Sequence, residues 1–160
     1  MSSVVLVFLG AAVGTLCGYF IFLSYKRQYS YLDGVCAMIN ALKQNLSYKK
    51  DSVPVVLGAL NVDNAQLKKN IQEYIDFASG QSATKDLSRG FLPQDTFDGV
   101  TELFDSIGGS DEGTQRARLD AFLTRFEKLR ETAEQKFRGQ GAVAVKLGFL
   151  IGLGVGVLAL

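Results

Sequence analysis

Two cysteines, Cys17 and Cys36, carry the most reactive side chains of the chain. A cysteine thiolate can act as a nucleophile or hold a zinc ion when a base or further ligands lie at a suitable spacing. The two cysteines are 19 residues apart, and the sequence contains no histidine, the commonest general base and metal ligand. We therefore interpret both as small apolar packing residues and predict neither a metal site nor a disulfide between them.

Phosphate binding and acid–base catalysis also lack their usual motifs. No glycine-rich stretch ends in the Gly-Lys-Ser or Gly-Lys-Thr of a phosphate-binding loop. Asp95 and Asp98 are spaced as a carboxylate pair on one helix face, but this face is polar, and solvated carboxylates are typical of such a face. The sequence therefore predicts no enzyme, no cofactor and no bound metal.

An acidic stretch precedes a basic one. From Asp95 to Glu112 there are six acidic residues and no basic residue, whereas residues 116–138 contain seven basic and four acidic residues. Two interpretations stay open: neighbouring antiparallel helices of opposite charge attract each other, or the acidic helix face docks a basic cytosolic partner. The candidate docking patch comprises Asp95, Asp98, Glu102 and Asp105.

The positions of the charges are more informative than their sum. A formal net charge of +1 argues against a general nucleic-acid binder, which normally has a strongly basic face. All 33 charged residues lie between Lys26 and Lys146, so a polar segment separates two uncharged, apolar ends. This pattern excludes an ordinary soluble domain, and a hydrophobic content of 48% disfavours a disordered chain.

The N-terminal end predicts a transmembrane helix over residues 1–25. Val4–Tyr25 is a run of 22 uncharged residues, about 33 Å as a helix and enough for a hydrocarbon core of about 30 Å. The run is too long for a signal peptide and has no basic segment before it. Gly10, Gly14 and Gly18 share one face, which either lets another helix approach closely or reflects the general frequency of glycine in membrane helices.

The C-terminal end predicts a second transmembrane helix over residues 140–160. Leu147–Leu160 alone would measure only about 21 Å as a helix, but the run counted from Gly139 has 22 residues and is interrupted only by Lys146. The ammonium group of this lysine can snorkel toward the lipid headgroups. A helix that enters only one leaflet is the alternative.

Basic residues beside the two apolar ends predict the orientation in the membrane. Lys26 and Arg27 follow the first apolar run, and Arg138 and Lys146 flank the start of the second. By the positive-inside rule, residues 26–139 are cytosolic and both termini lie outside.

The pattern of residues 26–139 predicts an all-α fold, a small antiparallel helical bundle without strand-like alternation. Ser52 and Asp63 are the expected N-caps of two helices, and a helix starts at Asp95 after a loop over residues 80–93. Two sets of apolar residues repeat at spacings of 3 and 4 and are expected to form the core. They are Leu32, Val35, Ile39, Leu42 and Leu46, and Leu119, Phe122, Phe126, Leu129 and Ala133.

A glycine-containing junction follows the helix that starts at Asp95. Gly108 is expected to stop this helix, and Ser110 or Asp111 to cap the next one. Together with Gln115, these residues are the best candidates for an important site. They act either as a structural brace or as direct contacts to a partner.

The order of these features resembles the stage III sporulation protein AB family of endospore-forming Firmicutes. In that family the junction reads approximately Leu-Gly-x-Ser/Thr-Asp-x-x-x-Gln, and the chain ends in an apolar Leu-Gly-x-x-x-Gly helix. Here Ile107 replaces the first leucine. The matching residues are Gly108, Ser110, Asp111 and Gln115 in the first motif and Leu147, Gly148 and Gly152 in the second.

This resemblance implies a fold and a role. The family is similar to the cytosolic domain of the type II secretion F protein, which implies a six-helix bundle without a cofactor and a non-enzymatic membrane platform. The implied place is the secretion-like channel between mother cell and forespore, in the outer forespore membrane facing the mother-cell cytosol. The implied partners are the stage III sporulation AA ATPase, other membrane proteins of the complex and the lipid bilayer.

Two other functions stay open. A generic membrane-tethered adaptor would use the two apolar stripes as a homotypic coiled coil and form a homo-oligomer. A small pore-forming protein of the holin kind would use the membrane helices themselves. The stripes are short for a stable coiled coil, which favours an internal core.

Overall fold

The computed structural model of the protein describes residues 2–48, 51–107 and 112–158, which are mostly helical. No β-strand occurs in these three ranges, so the all-α prediction is confirmed. The helices are α1 (Ser2–Tyr48), α2 (Val53–Gly58), α3 (Ala65–Ala78), α4 (Gln94–Ser106), α5 (Glu112–Gln135) and α6 (Ala142–Leu158). A π-helical segment, Lys136–Gly141, joins α5 to α6.

The chain forms two compact units. The apolar unit comprises Met1–Tyr29 and Glu131–Leu160, and it therefore contains the first part of α1 and all of α6. The bundle unit comprises Ser30–Arg130 and contains the rest of α1, the helices α2 to α4 and most of α5.

The core of the bundle unit includes the apolar stripe of α1. Leu32, Val35, Ile39 and Leu42 are each at most 3% exposed, and Leu46 is half-buried. Their spacing of 3 and 4 residues puts them on one face of the helix. The side chains buried with them come from all five helices of the unit, so the stripe faces the interior of this chain. These side chains are Tyr31, Met38, Leu57, Leu67, Ile71, Tyr74, Val100, Leu103, Phe104, Leu119 and Phe126.

The apolar stripe of α5 is partly buried. Leu119 and Phe126 are 2% and 0% exposed in the bundle unit, and Ala133 is 3% exposed in the apolar unit. Phe122 and Leu129 are half-buried. The periodicity therefore predicts the inward face of α5, although two of its five positions lie at the margin of that face.

Asn64 caps α3, and the prediction of an Asp63 cap is wrong by one residue. The side-chain oxygen of Asn64 accepts hydrogen bonds from the backbone N–H groups of Gln66 and Leu67, both at 3.1 Å. Asp63 is exposed. Ser52 occupies the N-cap of α2 as predicted, but its side chain forms no capping hydrogen bond.

The loop between α3 and α4 lies where the sequence predicts it, and polar contacts hold its second half. Gly90 has a φ of 52°, a conformation that glycine adopts without steric cost. The side-chain amide of Gln66 donates to the carbonyl oxygens of Ser88 at 2.9 Å and Arg89 at 2.6 Å. The end of the loop is therefore attached to the first turn of α3.

Candidate functional site

The two apolar helices contact each other through glycine backbones. A Cβ atom added to Gly10 would lie 2.6 Å from the backbone oxygen of Gly152, and one added to Gly18 would lie 2.5 Å from that of Ala144. Real Cβ atoms essentially never come within 3.0 Å of such atoms, so these positions require glycine. The contact is antiparallel, since later positions on α1 meet earlier positions on α6. The contacting residues are Gly10, Gly14 and Gly18 of α1 and Ala144, Gly148, Gly152 and Gly156 of α6.

This contact decides between the two interpretations of the α1 glycines, close helix packing and the general frequency of glycine in membrane helices. The glycines form a close-packed face, and they do so against a second set of small residues in the same chain. Close approach of this kind is typical of helix pairs in lipid, where small residues let backbones pack directly.

Large apolar side chains elsewhere on both helices are exposed. Phe8 is 72% exposed and Leu150 is 60% exposed. Only 11% of the most apolar stretch of Val7–Ser47 and 17% of that of Gly113–Leu158 are buried, and these two continuous helical stretches are long and apolar enough to cross a membrane. The core helix of a water-soluble protein would instead be mostly buried. Other exposed residues of this kind are Val5, Leu9, Val13, Leu16, Phe20, Ile21, Val143, Leu147, Ile151, Val155 and Val157.

Aromatic rings cluster where the uncharged part of α1 ends. The ring centroid of Phe137, in the π-helical segment, lies 5.1 Å from that of Phe22 and 6.0 Å from that of Tyr29. Tyr19 stacks on Phe22 at 6.1 Å. Aromatic side chains beside basic ones are typical of the boundary between lipid and water.

The four basic residues predicted to set the topology lie at two levels along these helices. Lys26, Arg27 and Arg138 are exposed and belong to the same stretches as the aromatic cluster. The Nε atom of Arg138 donates to the carboxylate of Glu134 at 2.7 Å. Lys146 is also exposed, but it lies eight residues beyond Arg138, about 12 Å further along the helix.

Two carboxylates of the candidate acidic patch are paired within the bundle unit. Glu102 of α4 accepts a hydrogen bond from Arg125 of α5 at 3.1 Å. Asp105 forms an ion pair with Lys85 in the preceding loop. The first of these contacts joins α4 to α5 and favours the interpretation that the two helices attract each other.

The other two carboxylates of the patch lie nearer the start of α4. Asp95 lies in its first turn, where a negative charge interacts favourably with the helix dipole. Asp98 accepts a hydrogen bond from the side-chain amide of Gln94 at 2.8 Å, within the same helix. All four carboxylates of the patch are exposed, but among the described residues Asp95 and Asp98 form no ion pair with α5 or the loop.

A groove of about 540 Å³ lies between α4 and α5 beside the patch. Glu102 and Asp105 line one side, Arg118 and Arg125 the other, and Phe122 contributes an apolar surface. The two walls therefore carry opposite charges.

Of the four junction residues, Gln115 lies within the described residues, whereas Gly108, Ser110 and Asp111 lie outside them. Gln115 is 8% exposed and lines a cavity of about 240 Å³. A buried amide normally needs hydrogen-bonding partners. Its burial favours the interpretation of Gln115 as a brace over that of a direct partner contact.

A cluster of buried polar groups joins α1, α3 and the loop that follows α3, and the sequence analysis did not predict it. The side-chain amide of Asn70 donates to the hydroxyl oxygen of Tyr31 at 3.0 Å and to the carbonyl oxygen of Ser88 at 3.2 Å. The N–H group of Ser88 donates in return to Asn70 Oδ1 at 3.0 Å. Burial raises the pKa of Tyr31 to about 12, and the hydrogen bond from Asn70 partly offsets that effect. The sequence signal for this cluster is Asn70, a polar residue between Leu67 and Ile71 on the apolar face of α3.

Both cysteines are free thiols in different surroundings. Cys17 is exposed on α1. Cys36 is 3% exposed, and burial raises the pKa of its thiol to about 11, while the charge of Arg130 acts in the opposite direction. In the part of the chain that the structure describes, no group of three potential metal-binding side chains comes together.

Taken together, the fold and the charge pattern define an all-helical protein in which two glycine-packed apolar helices flank a polar helical bundle. Within this class, the chain belongs to the stage III sporulation protein AB family, because the model of that family matches residues 3–160. The resemblance read from the sequence is thereby confirmed, and membership supports a role in sporulation. No curated protein and no solved structure matches the chain significantly.

Proposed function

We propose that this protein is a non-enzymatic membrane platform subunit of a secretion-like sporulation channel. Its two apolar helices cross the outer forespore membrane, and the bundle unit faces the mother-cell cytosol. There it couples the stage III sporulation AA ATPase to the membrane proteins of the same complex.

The observation that carries this proposal is the combination of tight packing and outward exposure in the apolar unit. The helices meet through backbone contacts at Gly10 and Gly18, yet their large apolar side chains are exposed. Water would make such a surface costly, whereas lipid would cover it. Anchoring by two helices fits a subunit that holds other proteins in place at a membrane.

The basic residues support the orientation. Lys26, Arg27 and Arg138 belong to the same stretches of chain as Phe22 and Phe137, and both basic and aromatic residues are enriched at the cytosolic boundary of membrane proteins. These residues precede and follow the bundle unit in the chain, and the positive-inside rule therefore supports a cytosolic bundle.

The two carboxylates of the acidic patch without an ion pair are the proposed contact to the ATPase. Because Glu102 and Asp105 already bind Arg125 and Lys85, we assign the docking role to Asp95 and Asp98. Exposed charges of this kind mainly steer and orient a partner of opposite charge.

The test is co-purification of the full-length protein from sporulating cells in mild detergent. We expect the ATPase to follow the wild-type protein and to be lost from the double variant Asp95→Lys with Asp98→Lys. The matched control is Asp63→Lys with Asp86→Lys, which reverses two exposed charges elsewhere on the bundle unit and should retain the ATPase. Absence of the ATPase from the wild-type preparation would refute the coupling role, and equal loss from both variants would refute the assigned contact.

The burial of the α1 stripe argues against the coiled-coil adaptor. Leu32, Val35 and Ile39 are at most 1% exposed within a single chain, so they offer no free seam to a second copy. A holin-like protein would retain its activity when the bundle unit is removed, whereas a platform subunit would lose it.

A further inference from the structure

The glycine contacts fix the level of Lys146 in the apolar unit. Residues on either side of Lys146 contact Gly14 and Gly18 of α1, so Lys146 lies level with the stretch between them. This stretch precedes Lys26, the first charged residue of the chain, by 8 to 12 residues, about 12–18 Å of helix. The four-carbon stem of a lysine is too short to carry its ammonium group across that whole distance.

Lys146 lies on the outward face of α6. Its side chain is exposed, as are those of Val143 and Leu150, one turn before and one turn after it. Gly154, two turns further on, has no atom within 4 Å of an added Cβ, in contrast to Gly152, which contacts α1. The outward face therefore combines one positive charge with a glycine beside which another helix can come close.

The chain offers no carboxylate at this level. The nearest acidic residue before it in the chain is Glu134 of α5, 12 residues earlier, about 18 Å of helix, and it is bonded to Arg138. Residues 1–25 contain no acidic residue at all. Among the described residues, none forms an ion pair with Lys146.

A second copy of the chain could not supply the missing charge either. Its apolar helices have the same sequence and therefore bring no carboxylate to this depth. A positive charge inside a membrane is costly, and such residues usually pair with an acidic group or a polar backbone.

We infer that the outward face of α6 around Lys146 binds a transmembrane helix of another protein that carries an aspartate or glutamate at the same depth. The charge pair fixes the register of the two helices, and Gly154 lets their backbones approach. The inference rests on the proposed function, because it requires α6 to lie in the membrane. Through this charge pair the platform holds a membrane component of its complex.

The experiment uses the full-length protein in sporulating cells, with a photoreactive amino acid in place of Leu150. We expect a cross-link to one membrane protein, retained in Lys146→Arg and reduced at least tenfold in Lys146→Leu. Replacing the intramembrane carboxylic acid of the captured protein by its amide should abolish the same cross-link. A charge swap, Lys146→Glu combined with a lysine in place of that acid, should restore it.

Two controls distinguish a structural defect from the loss of the contact with the other protein. The photoreactive residue placed at Phe8 of α1, which is 72% exposed, should not give the same adduct. Gly154→Leu should weaken the cross-link without lowering the melting temperature in detergent, because nothing lies within 4 Å of that position.

A cross-link that Lys146→Leu leaves unchanged would overturn the inference, as would adducts to phospholipid alone. In the second case the ammonium group would pair with a lipid phosphate instead.

Co-purification of the ATPase is measured on the same preparations. If the ATPase is present while the Lys146-dependent cross-link is absent, this inference alone fails; if the wild-type protein lacks the ATPase, the coupling function fails.

Discussion

The side-chain amide of Asn70 donates a 3.0 Å hydrogen bond to the hydroxyl oxygen of Tyr31, and both residues are 0% exposed. The two residues are 39 positions apart, so this bond ties α3 to α1 in the centre of the bundle unit. Asn70 also exchanges two hydrogen bonds with the backbone of Ser88. One amide therefore joins two helices and a loop.

Replacing Asn70 by alanine should destabilise the protein strongly. The change leaves the buried Tyr31 hydroxyl and the Ser88 N–H group without these partners, whereas the Ser88 carbonyl keeps its hydrogen bond from Gln66. Each buried polar group left unpaired costs about 1–3 kcal/mol. The free energy of unfolding in detergent, followed by circular dichroism, measures the effect. Gln72→Ala is the control on the same helix, since Gln72 is exposed and bonds only to Asp76 among the contacts seen. It should change stability by less than about 0.5 kcal/mol. Equal losses in the two variants would contradict the role of Asn70.

The stability of the bundle unit should fall in strongly alkaline solution. Burial raises the pKa of Tyr31 from 10.0 to about 12, so the folded state holds the phenolic proton more tightly than the unfolded state. Below the ordinary value both states are protonated and this contribution is constant. Between about pH 10 and 12 the unfolded state loses the proton first, and the free energy of unfolding decreases.

Tyr31→Phe separates this effect from other alkaline changes. The variant should lose part of the slope of stability against pH in that window, whatever its stability at neutral pH. Burial also raises the pKa of Tyr74, so a smaller slope should persist until Tyr74→Phe is added. Identical slopes in the wild-type protein and Tyr31→Phe would show that Tyr31 titrates as it does in the unfolded chain.

A valine at position 14 should separate the two apolar helices. A Cβ atom on Gly14 would collide with the backbone oxygen of Gly148, and overpacking of this kind typically costs about 1–3 kcal/mol. Gly154→Val makes the same chemical change in open space and should leave stability almost unchanged. Titration of the purified protein with a denaturing detergent, followed by circular dichroism, compares the two variants. Equal midpoints would contradict the close contact.

Asn64→Ala should remove the cap of α3 and cost about 1 kcal/mol. Asp63→Ala, one residue earlier, should cost much less, because it is Asn64 that accepts the hydrogen bonds from the backbone N–H groups of Gln66 and Leu67. Thermal unfolding of both variants tests the assignment. A larger loss for Asp63→Ala would restore the cap that the sequence first suggested.

Helical periodicity predicted most of the fold because burial on one helix face repeats every three to four residues. This is why the sequence alone predicts Leu32, Val35, Ile39 and Leu42 as core residues. The Asn64 cap was missed because Asp63 and Asn64 are both good capping residues, and only the backbone conformation selects between them.

Contacts between distant segments could not be predicted in the same way. Nothing local in the sequence relates Tyr31 to Asn70, since the bond depends on how α1 and α3 pack. The glycines of α1 were visible as a stripe, but their role required the antiparallel register that sets Gly10 against Gly152. The same register gives the level of Lys146 in the apolar unit. From the sequence alone, this lysine is interpreted only as one that snorkels toward the headgroups.

The way in which the loop between α3 and α4 is attached indicates where the chain can be cut. Gln66 and Asn70 hold the backbone at Ser88, whereas a Cβ added at Gly80 would meet no atom within 4 Å. A chain break placed near Gly80 would give two fragments, each with one apolar helix. These fragments would keep the hydrogen bonds that join them across the break. The protein is therefore suited to production as a split pair, whose halves share the hydrogen bonds and the core of the bundle unit.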